Sequence, residues 1–329
     1  MSSKNKKFAI GIDLGGTKLL AALLDKNNRV LSSVKLKTRI EEGKDAFFEK
    51  IQESVASVMS EAKVGFEQVV GLGMGCPGVI DHEDGVILSS PNIPFLENMP
   101  LGRKLEDLLG LDVVLENDVN TGLYGEHQFG AAEGYKNVAG IFVGTGIGGA
   151  FIFDGRLYRG ATGAAGEVGH MLIDPLGPVC GCGRRGCLEA LAGRLAIASE
   201  AAAIAAKQQA PKLFKEVGAD ILKIKSGVLE RAVQGGDRAI EELIVRKARI
   251  IGIAMANIVN LLNPDLIVLG GGVVEALPDI IVKEASEAMT ELAMPAMSKR
   301  VKVVASKLKD LAIVMGAAKL IWDKKENRN

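Results

Sequence analysis

The sequence has few cysteines, few aromatic residues and no excess of charge of either sign. Four cysteines in 329 residues are too few for a secreted scaffold stabilised by disulfides. Lys plus Arg and Asp plus Glu both number 40, so the formal net charge is zero. A dedicated nucleic-acid-binding protein usually has a basic excess, which this sequence lacks. Zero net charge also leaves little electrostatic self-repulsion to oppose the formation of oligomers.

A long uninterrupted hydrophobic run is also missing. The longest candidate, residues 138–153, contains five glycines and a threonine, whereas a membrane-spanning helix needs about 18 or more consecutive apolar residues. The apolar stretch 8–12 near the N-terminus is too short for the core of a signal peptide. We therefore expect a cytoplasmic protein without a membrane span.

The residues that are present favour an α/β protein. Hydrophobic residues make up 48% of the chain and glycines number 40, which indicates a globular fold with many tight turns. Apolar periodicity predicts strands at 8–14, 19–24, 30–38, 69–74, 113–115, 138–143, 149–153, 266–269 and 301–305. It predicts helices at 46–62, 101–109, 120–129, 188–206, 238–262 and 312–322.

The strand–turn–strand pattern at 8–24 recurs at 138–153, each time around a turn rich in glycine and threonine. The recurrence predicts two related α/β halves, and we place the boundary between them near residue 118. Small ligands often bind at the interface of two such domains. Asp237 precedes the longest predicted helix, and we expect it to cap the N-terminus of that helix.

Three glycine-rich turns follow apolar strands and are candidates for phosphate binding. They are Gly15-Gly16-Thr17-Lys18 after Asp13, Gly144-Thr145-Gly146, and Gly270-Gly271-Gly272. Glycines allow backbone N–H groups to approach a phosphate, while Thr17 adds a hydroxyl donor and Lys18 a positive charge. Each turn alone could be an ordinary tight turn, and the first matches neither a Walker A nor a Rossmann motif. Three such turns in one α/β chain favour nucleotide binding.

An amide and a carboxylate stand at the end of the predicted strand 113–115. In the string Glu116-Asn117-Asp118-Val119-Asn120, Asp118 could accept a hydroxyl proton during phosphoryl transfer. Asp118 or Asn117 could instead cap the helix predicted from residue 120. The two roles of Asp118 are compatible, so both remain open.

One histidine and three cysteines have the spacing of a structural zinc site. The set consists of His170, Cys180, Cys182 and Cys187, which gives closed Cys3His ligation. The alternatives are free buried thiols and a histidine of the core. We call the segment that contains these four residues the zinc knuckle. Glu167 and Glu189 flank the knuckle, which could hold their carboxylates in a binding site, or they could be ordinary surface carboxylates. The fourth cysteine, Cys76, is expected to be a small buried residue.

Taken together, these motifs resemble the ROK family of sugar kinases and repressors, and within it the zinc-containing bacterial glucokinases. The matching strings cover residues 11–18, 75–81, 116–120, 144–149, 166–170 and 180–189, and the resemblance extends over essentially the whole chain. It implies an actin-like, ribonuclease H-like fold of two α/β domains around a central cleft. The implied domains are a small one, 1–118 plus 306–329, and a large one, 119–305, with the zinc knuckle.

The resemblance also implies ligands and the residues that bind them. ATP would be bound by Asp13, Gly15, Gly16, Thr17, Lys18, Gly144, Thr145, Gly146 and Gly271. A hexose would be bound by Asn92, Asn117, Asp118, Glu167, His170 and Glu189. Asp118 would be the catalytic base that takes the proton of the sugar 6-hydroxyl. Magnesium would bridge the phosphates near Asp13, and the Cys3His set would bind a structural zinc.

Other activities in the family give the alternatives. We expect D-glucose as the acceptor, and kinases for N-acetylmannosamine, N-acetylglucosamine, fructose or allose are the other possibilities. Repressors of the family carry an N-terminal helix-turn-helix region, for which a first strand at residue 8 would leave no room. We therefore expect no nucleic-acid or membrane partner, and we expect a homodimer or homotetramer.

Overall fold

The computed structural model describes residues 6–90 and 92–326. Residues 1–5 and 327–329, the outer ends of the small domain expected from the sequence, lie outside the described residues. The chain divides into two compact units. Unit 1 runs to Gly134 and also includes Leu157–Ala165 and the chain from Asp310 onward, while unit 2 comprises Tyr135–Arg156 and Gly166–Lys309.

Strands and helices alternate along most of the described chain. The strands are β1 (Phe8–Leu14), β2 (Lys18–Asp25), β3 (Val30–Lys37), β4 (Val69–Cys76), β5 (Val79–Asp81), β6 (Val86–Ser89), β7 (Val113–Asn117), β8 (Val138–Val143), β9 (Ile147–Phe153), β10 (Arg156–Leu157), β11 (Leu266–Gly270) and β12 (Lys302–Ala305). The helices are α1 (Lys44–Ala62), α2 (Leu101–Leu109), α3 (Asp118–Phe129), α4 (Leu188–Ala192), α5 (Arg194–Ala206), α6 (Pro211–Val217), α7 (Ser226–Gln234), α8 (Arg238–Leu262), α9 (Gly272–Ala276), α10 (Pro278–Leu292), α11 (Pro295–Ser298) and α12 (Leu311–Glu326). Among residues 6–90 and 92–326, none of the helices has the length and apolar character needed to cross a membrane.

Unit 1 is built on a mixed sheet with the strand order β3-β2-β1-β4-β7. The first three strands are antiparallel neighbours, whereas β4 and β7 run parallel to β1. Helix α1 buries Phe47, Ile51 and Val55 in the core of this unit, because these residues recur at the three- and four-residue spacing of one helix face. Because β1, β4 and β7 are parallel, their carboxyl ends meet at one edge of the sheet.

Unit 2 repeats the same plan on a sheet with the order β10-β9-β8-β11-β12. Strands β8 and β9 form an antiparallel hairpin, and β11 and β12 continue the sheet in parallel with β8. Helices α5, α8 and α10 contribute to a single hydrophobic core on this sheet. The α/β fold class and the recurring hairpin predicted from the sequence are both confirmed.

Helix α12 belongs to unit 1 although it lies at the end of the chain. Its residues Val314, Ala318 and Ile321 are fully buried against a small apolar cluster contributed by strands β1, β2 and β4. A β-carbon at Gly73 of β4 would lie 1.9 Å from the Ala317 carbonyl oxygen. Glycine at this position is therefore what allows the helix backbone to approach the strand so closely.

Strands β5, β6 and β10 and helices α6, α7, α9, α10 and α11 were not predicted from the sequence, and two predicted features differ. The helix expected at 188–206 is two helices, because Gly193 has extended backbone angles, φ −66° and ψ 158°, between α4 and α5. Asp237 occupies the N-cap position of α8, but its carboxylate accepts hydrogen bonds from the backbone N–H groups of Lys212 and Leu213 in α6. Unit 1 extends past residue 118 to Gly134, because α3 packs against α12, and the domain ranges expected from the sequence stay predictions.

Candidate functional site

The strand register of unit 1 brings several predicted site residues to one edge of its sheet. Asp13 at the end of β1 pairs with Gly75 of β4, and Gly75 pairs with Glu116 of β7. Asn117 and Asp118 follow Glu116 directly, at the junction of β7 and α3. Ligands of parallel α/β sheets commonly bind at the carboxyl ends of the strands, which makes this edge the candidate site of unit 1.

The first glycine turn lies at the same edge and is fixed by a residue that sequence reasoning missed. The turn closes with a hydrogen bond from the Gly15 N–H to the Lys18 carbonyl oxygen, 2.9 Å. The buried Thr38 donates its hydroxyl to the Gly15 carbonyl, 2.7 Å, and its N–H to the Thr17 carbonyl, 3.1 Å. Strand alternation gave no reason to single out Thr38, because its role depends on pairing across the sheet.

Asn92 borders this turn, and Lys18 begins the next strand. A β-carbon at Gly16 would lie 3.8 Å from the Asn92 carbonyl oxygen, so the two segments are in contact distance. Lys18 is exposed as the first residue of β2. The structure therefore brings the turn residues predicted to bind phosphate next to one residue predicted to bind sugar.

Asn117, rather than Asp118, caps helix α3. The Asn117 side-chain oxygen accepts hydrogen bonds from the backbone N–H groups of Val119, 2.9 Å, and Asn120, 3.1 Å. Its amide nitrogen donates to the Gly78 carbonyl oxygen. This cap places Asp118 in the first turn of the helix, where the positive end of the helix dipole stabilises a carboxylate.

A buried ion pair next to the Asn117–Asp118 segment stabilises this segment. Glu116 is only 3% exposed, and its carboxylate accepts hydrogen bonds from the Asn120 amide and from the guanidinium of Arg159. Arg159 lies in the stretch Leu157–Ala165 that belongs to unit 1. Sequence reasoning missed Arg159, because nothing in its local sequence indicates a partner 43 residues away.

The environment of Asp13 disfavours its charged form. Burial, followed by the negative charges of Asp118 and Asp310, raises the pKa of Asp13 to about 7, and only Lys35 opposes this effect. Lys35 is itself paired with Asp310 at 2.8 Å. Carboxylates with strongly shifted pKa values cluster at functional sites, where such shifts prepare them to bind cations or protons.

In unit 2, the second and third glycine turns lie side by side. The second turn closes with a hydrogen bond from the Gly144 N–H to the Gly146 carbonyl oxygen, 2.9 Å. Gly271 has a positive φ of 85°, and a β-carbon there would lie 2.6 Å from the Val143 carbonyl oxygen. The structure thus brings together two of the three segments that were predicted to contact a nucleotide.

Glu189 connects the second turn with the cysteine cluster. One of its carboxylate oxygens accepts a hydrogen bond from the Ile147 N–H at 3.0 Å, and the other lies 3.8 Å from the sulfur of Cys180. A β-carbon at Gly146 would lie 2.0 Å from the Glu189 carboxylate. A side chain at position 146 would therefore displace the Glu189 carboxylate from its present position.

The four predicted zinc ligands come together in unit 2. One ligand atom from each of His170, Cys180, Cys182 and Cys187 lies within 4.8 Å of all the others. The Cys182 and Cys187 sulfurs are 3.7 Å apart, and two thiolates on one tetrahedral zinc, at ~2.3 Å each, would be roughly 3.8 Å apart. This donor set fits a closed tetrahedral site for zinc, with no position left for a substrate.

The ring of His170 joins this cluster to Glu167. Its Nδ1 atom lies 3.7 Å from the Cys180 sulfur, while its Nε2 atom lies 4.0 Å from a carboxylate oxygen of the exposed Glu167. One ring nitrogen therefore faces the cysteines and the other faces away from them. The predicted sugar residues of unit 2 are thus grouped around the knuckle.

Comparison with known proteins identifies the family. The profile of the ROK family matches residues 9–324. The chain belongs to the ROK family. Its predicted site residues all lie within the matched range, and they form two groups, one in each unit.

Sugar kinases and repressors both appear among the ROK relatives. The chain is 34% identical to a glucokinase of Thermotoga maritima over 96% of this chain and 97% of that protein. It is 30% identical to a putative xylose repressor of a Caldicellulosiruptor species, over 97% of this chain and 79% of that protein. It is 31% identical to an N-acetylmannosamine kinase of Escherichia fergusonii, over 96% of this chain and 99% of that protein.

Solved ROK structures share the fold. A ROK hexokinase from Thermus thermophilus is 34% identical, with a TM-score of 0.80 over 97% of this chain and 99% of that one. A ROK glucokinase from Streptomyces griseus, in complex with glucose and AMPPNP, is 30% identical, with a TM-score of 0.83 over 95% and 98%. The predicted actin-like α/β fold is confirmed by this similarity.

Proposed function

We propose that this ROK protein transfers the terminal phosphoryl group of ATP to the 6-hydroxyl of D-glucose. The observation that carries the proposal is the arrangement of side chains at the edge of the unit 1 sheet. There a carboxylate at a helix start, Asp118, lies in the electrostatic field of Asp13, beside a glycine turn and Asn92. The similarity to a glucokinase solved with glucose and AMPPNP supports the choice of substrates.

Asp118 is the proposed general base. It would accept the proton of the sugar 6-hydroxyl while that oxygen attacks the terminal phosphorus, a role that usually contributes a factor of about 100 to 10,000 in rate. Asn117 and the Glu116–Arg159 pair would act as positioning residues, because they fix the backbone and the first turn of α3 around Asp118.

The glycine turns are the proposed sites for the phosphates of ATP. Backbone N–H groups of residues 15–17 and 144–146 would donate hydrogen bonds to the oxygens on which negative charge develops. Magnesium bound with ATP would supply positive charge for these oxygens, and Asp13 would be the carboxylate that holds it. Gly271, which lies against Val143, would let the third turn approach the same phosphates.

The Cys3His cluster is proposed to bind a structural zinc that also serves the sugar site. His170 would bind the metal through Nδ1 and leave Nε2 for a sugar hydroxyl, next to Glu167. Glu167, Glu189 and Asn92 would accept or donate hydrogen bonds to other hydroxyls. A sugar that desolvates one of these groups and leaves it unpaired would bind less tightly by about 1–3 kcal/mol.

The nearest competing function is phosphorylation of another hexose. Relatives that include an N-acetylmannosamine kinase and repressors are nearly as similar as the glucokinases, so motifs shared across the family do not select the acceptor. A sugar-responsive repressor is a second alternative. The domain ranges 1–118 plus 306–329 and 119–305, and assembly as a homodimer or homotetramer, remain predictions that accompany the proposal.

A sugar panel tests the proposal. Release of ADP is followed with purified protein, ATP and magnesium for glucose, mannose, fructose, allose, N-acetylglucosamine and N-acetylmannosamine. We expect the highest kcat/KM for glucose, and we expect glucose that lacks its 6-hydroxyl to bind without turnover. A tenfold preference for fructose or an N-acetylated sugar would assign another hexose kinase. Sugar binding without any ADP release would favour the repressor.

A further inference from the structure

Arg194 begins helix α5 directly against the second glycine turn. Its backbone N–H donates to the Gly144 carbonyl oxygen at 3.2 Å, and its guanidinium donates to the Thr145 hydroxyl oxygen at 3.0 Å. Arg194 lies outside all the motifs that carry the family resemblance, and it follows the Gly193 break that the sequence did not predict. Its contacts with the turn are therefore unexplained by the roles assigned so far.

Among the described residues, the guanidinium of Arg194 has only neutral hydrogen-bond partners. Its second hydrogen-bond partner is the Ile224 carbonyl oxygen, at 3.4 Å, which like Thr145 is a neutral group. Within residues 6–90 and 92–326, Arg194 forms no ion pair with a carboxylate. A guanidinium that is fixed by neutral acceptors beside a turn rich in backbone N–H groups creates a local positive potential that suits an anion.

The hydrogen bond from Arg194 also sets the direction of the Thr145 hydroxyl. A guanidinium can only donate, so Thr145 Oγ1 is the acceptor and its own hydrogen is directed elsewhere. Donation from a charged group polarises the hydroxyl and makes it a better donor in turn. The Thr145 hydroxyl can therefore donate a hydrogen bond to an acceptor that binds next to the turn.

The other hydrogen-bond partner of Arg194, Ile224, lies near a segment that borders the third glycine turn. Ile224 precedes α7 by two residues, and a β-carbon at Gly272 would lie 3.4 Å from the hydroxyl oxygen of Ser226, the first residue of α7. The guanidinium therefore lies between the second turn and a segment that borders the third. Both turns are among the three that are proposed to bind the nucleotide.

We propose that Arg194 is a positioning residue for the phosphate chain of a nucleoside triphosphate. It orients the Thr145 hydroxyl toward a phosphate oxygen and supplies positive charge to the phosphate chain. The inference rests on the nucleotide-binding part of the proposed function and is independent of which sugar is the acceptor.

The test compares ligand binding by R194Q, R194K and T145A with the wild-type protein. Calorimetry measures the Kd of AMPPNP with magnesium and the Kd of glucose, and circular dichroism measures the unfolding midpoint. R231Q is the matched control, since Arg231 is an exposed arginine that pairs with Glu216 on the surface. The AMPPNP titrations are repeated at several salt concentrations, because loss of a phosphate-facing charge reduces the salt dependence of binding.

We expect R194Q to raise the Kd of AMPPNP about 10- to 100-fold, the usual range for a hydrogen bond to a charged group. Glucose binding and the unfolding midpoint should stay at wild-type values, and the salt dependence should decrease. T145A should weaken AMPPNP in the same way, and R194K, which keeps the charge but loses the fork, should fall between R194Q and wild type. R231Q should match the wild-type protein in every measurement.

An AMPPNP Kd for R194Q within twofold of wild type would overturn the inference. Equal losses for AMPPNP and glucose would also overturn it, because they would indicate a general structural role for Arg194. If R194Q does not fold, a wild-type AMPPNP Kd for R194K decides against the inference. If wild-type protein phosphorylates no sugar but R194Q still loses AMPPNP binding, the proposed function fails and the role of Arg194 stands.

Discussion

At the edge of the unit 1 sheet, the neighbouring side chains of Asn117 and Asp118 have different roles. The sequence left open whether Asp118 or Asn117 caps α3, and the structure assigns the cap to Asn117. The Asp118 carboxylate also accepts a hydrogen bond from the Val119 N–H, but Asn117 caps both Val119 and Asn120, so the helix start does not depend on Asp118 alone. Removing the charge of Asp118 should consequently affect chemistry more than folding.

The first prediction concerns this carboxylate. Asp118→Asn should lower kcat for sugar phosphorylation by about 100- to 10,000-fold, because the amide cannot take the hydroxyl proton. The unfolding midpoint and the Kd of the sugar should change little. Asp45→Asn is the control, since Asp45 also lies in the first turn of a helix, α1. Retention of more than roughly a tenth of wild-type kcat would exclude Asp118 as the base.

The second prediction follows from the pKa of Asp13. The usual value of 3.8 is raised to about 7 in the folded protein, so the folded state binds the proton more tightly than the unfolded state. The charged carboxylate therefore costs stability progressively as pH rises from about 4 to 7, and the full cost remains above pH 7. Each pKa unit corresponds to about 1.4 kcal/mol.

Replacing Asp13 by Asn should remove this cost. Denaturant titrations should find Asp13→Asn more stable than wild type, and the gain at pH 8.5 should exceed that at pH 5.5 by about 1–2 kcal/mol, allowing for partial solvent screening. Asp45→Asn, in the first turn of α1, is measured alongside as the control. A gain that is equal at both pH values would mean that Asp13 titrates normally in the folded protein.

At the scale of elements, the knuckle was predictable because its geometry is local. His170 and the three cysteines lie within 18 residues, and glycines among them allow the tight turns that the spacing requires. By contrast, Thr38 and Arg194 act on turns that lie 21 or more residues away along the chain. The role of Thr38 arises from strand pairing, and the role of Arg194 arises from the start of α5 directly after Gly193. Apolar periodicity revealed neither of them.

The third prediction tests the metal site. Freshly purified protein should contain about one zinc per chain, and Cys182→Ala should lower this content. Because His170 and Glu189 connect the cluster with proposed sugar residues, loss of the metal should weaken glucose binding more than AMPPNP binding. Cys76→Ala is the matched control, since Cys76 is a buried thiol in unit 1. Protein that lacks zinc without exposure to chelators would refute the assignment.

At the scale of the whole molecule, the chain leaves unit 1 and returns to it twice. The resemblance to the family led us to expect the final return, through the last helix. The return at Leu157–Ala165 was not expected, because it depends on the distant Glu116–Arg159 pair. Apolar patterns define the elements of each unit well, but they do not indicate which element a distant segment will contact.

The last prediction follows from this discontinuity, because unit 1 should need α12 to fold. Helix α12 buries Val314, Ala318 and Ile321 against the sheet, so truncation after residue 309 would expose the strands beneath it. We expect the truncated chain to lose the cooperative unfolding of unit 1 and its resistance to limited proteolysis. Ile321→Ala in the full-length chain should cost about 2–5 kcal/mol. An unfolding transition of unit 1 that is unchanged without α12 would contradict this account of the fold.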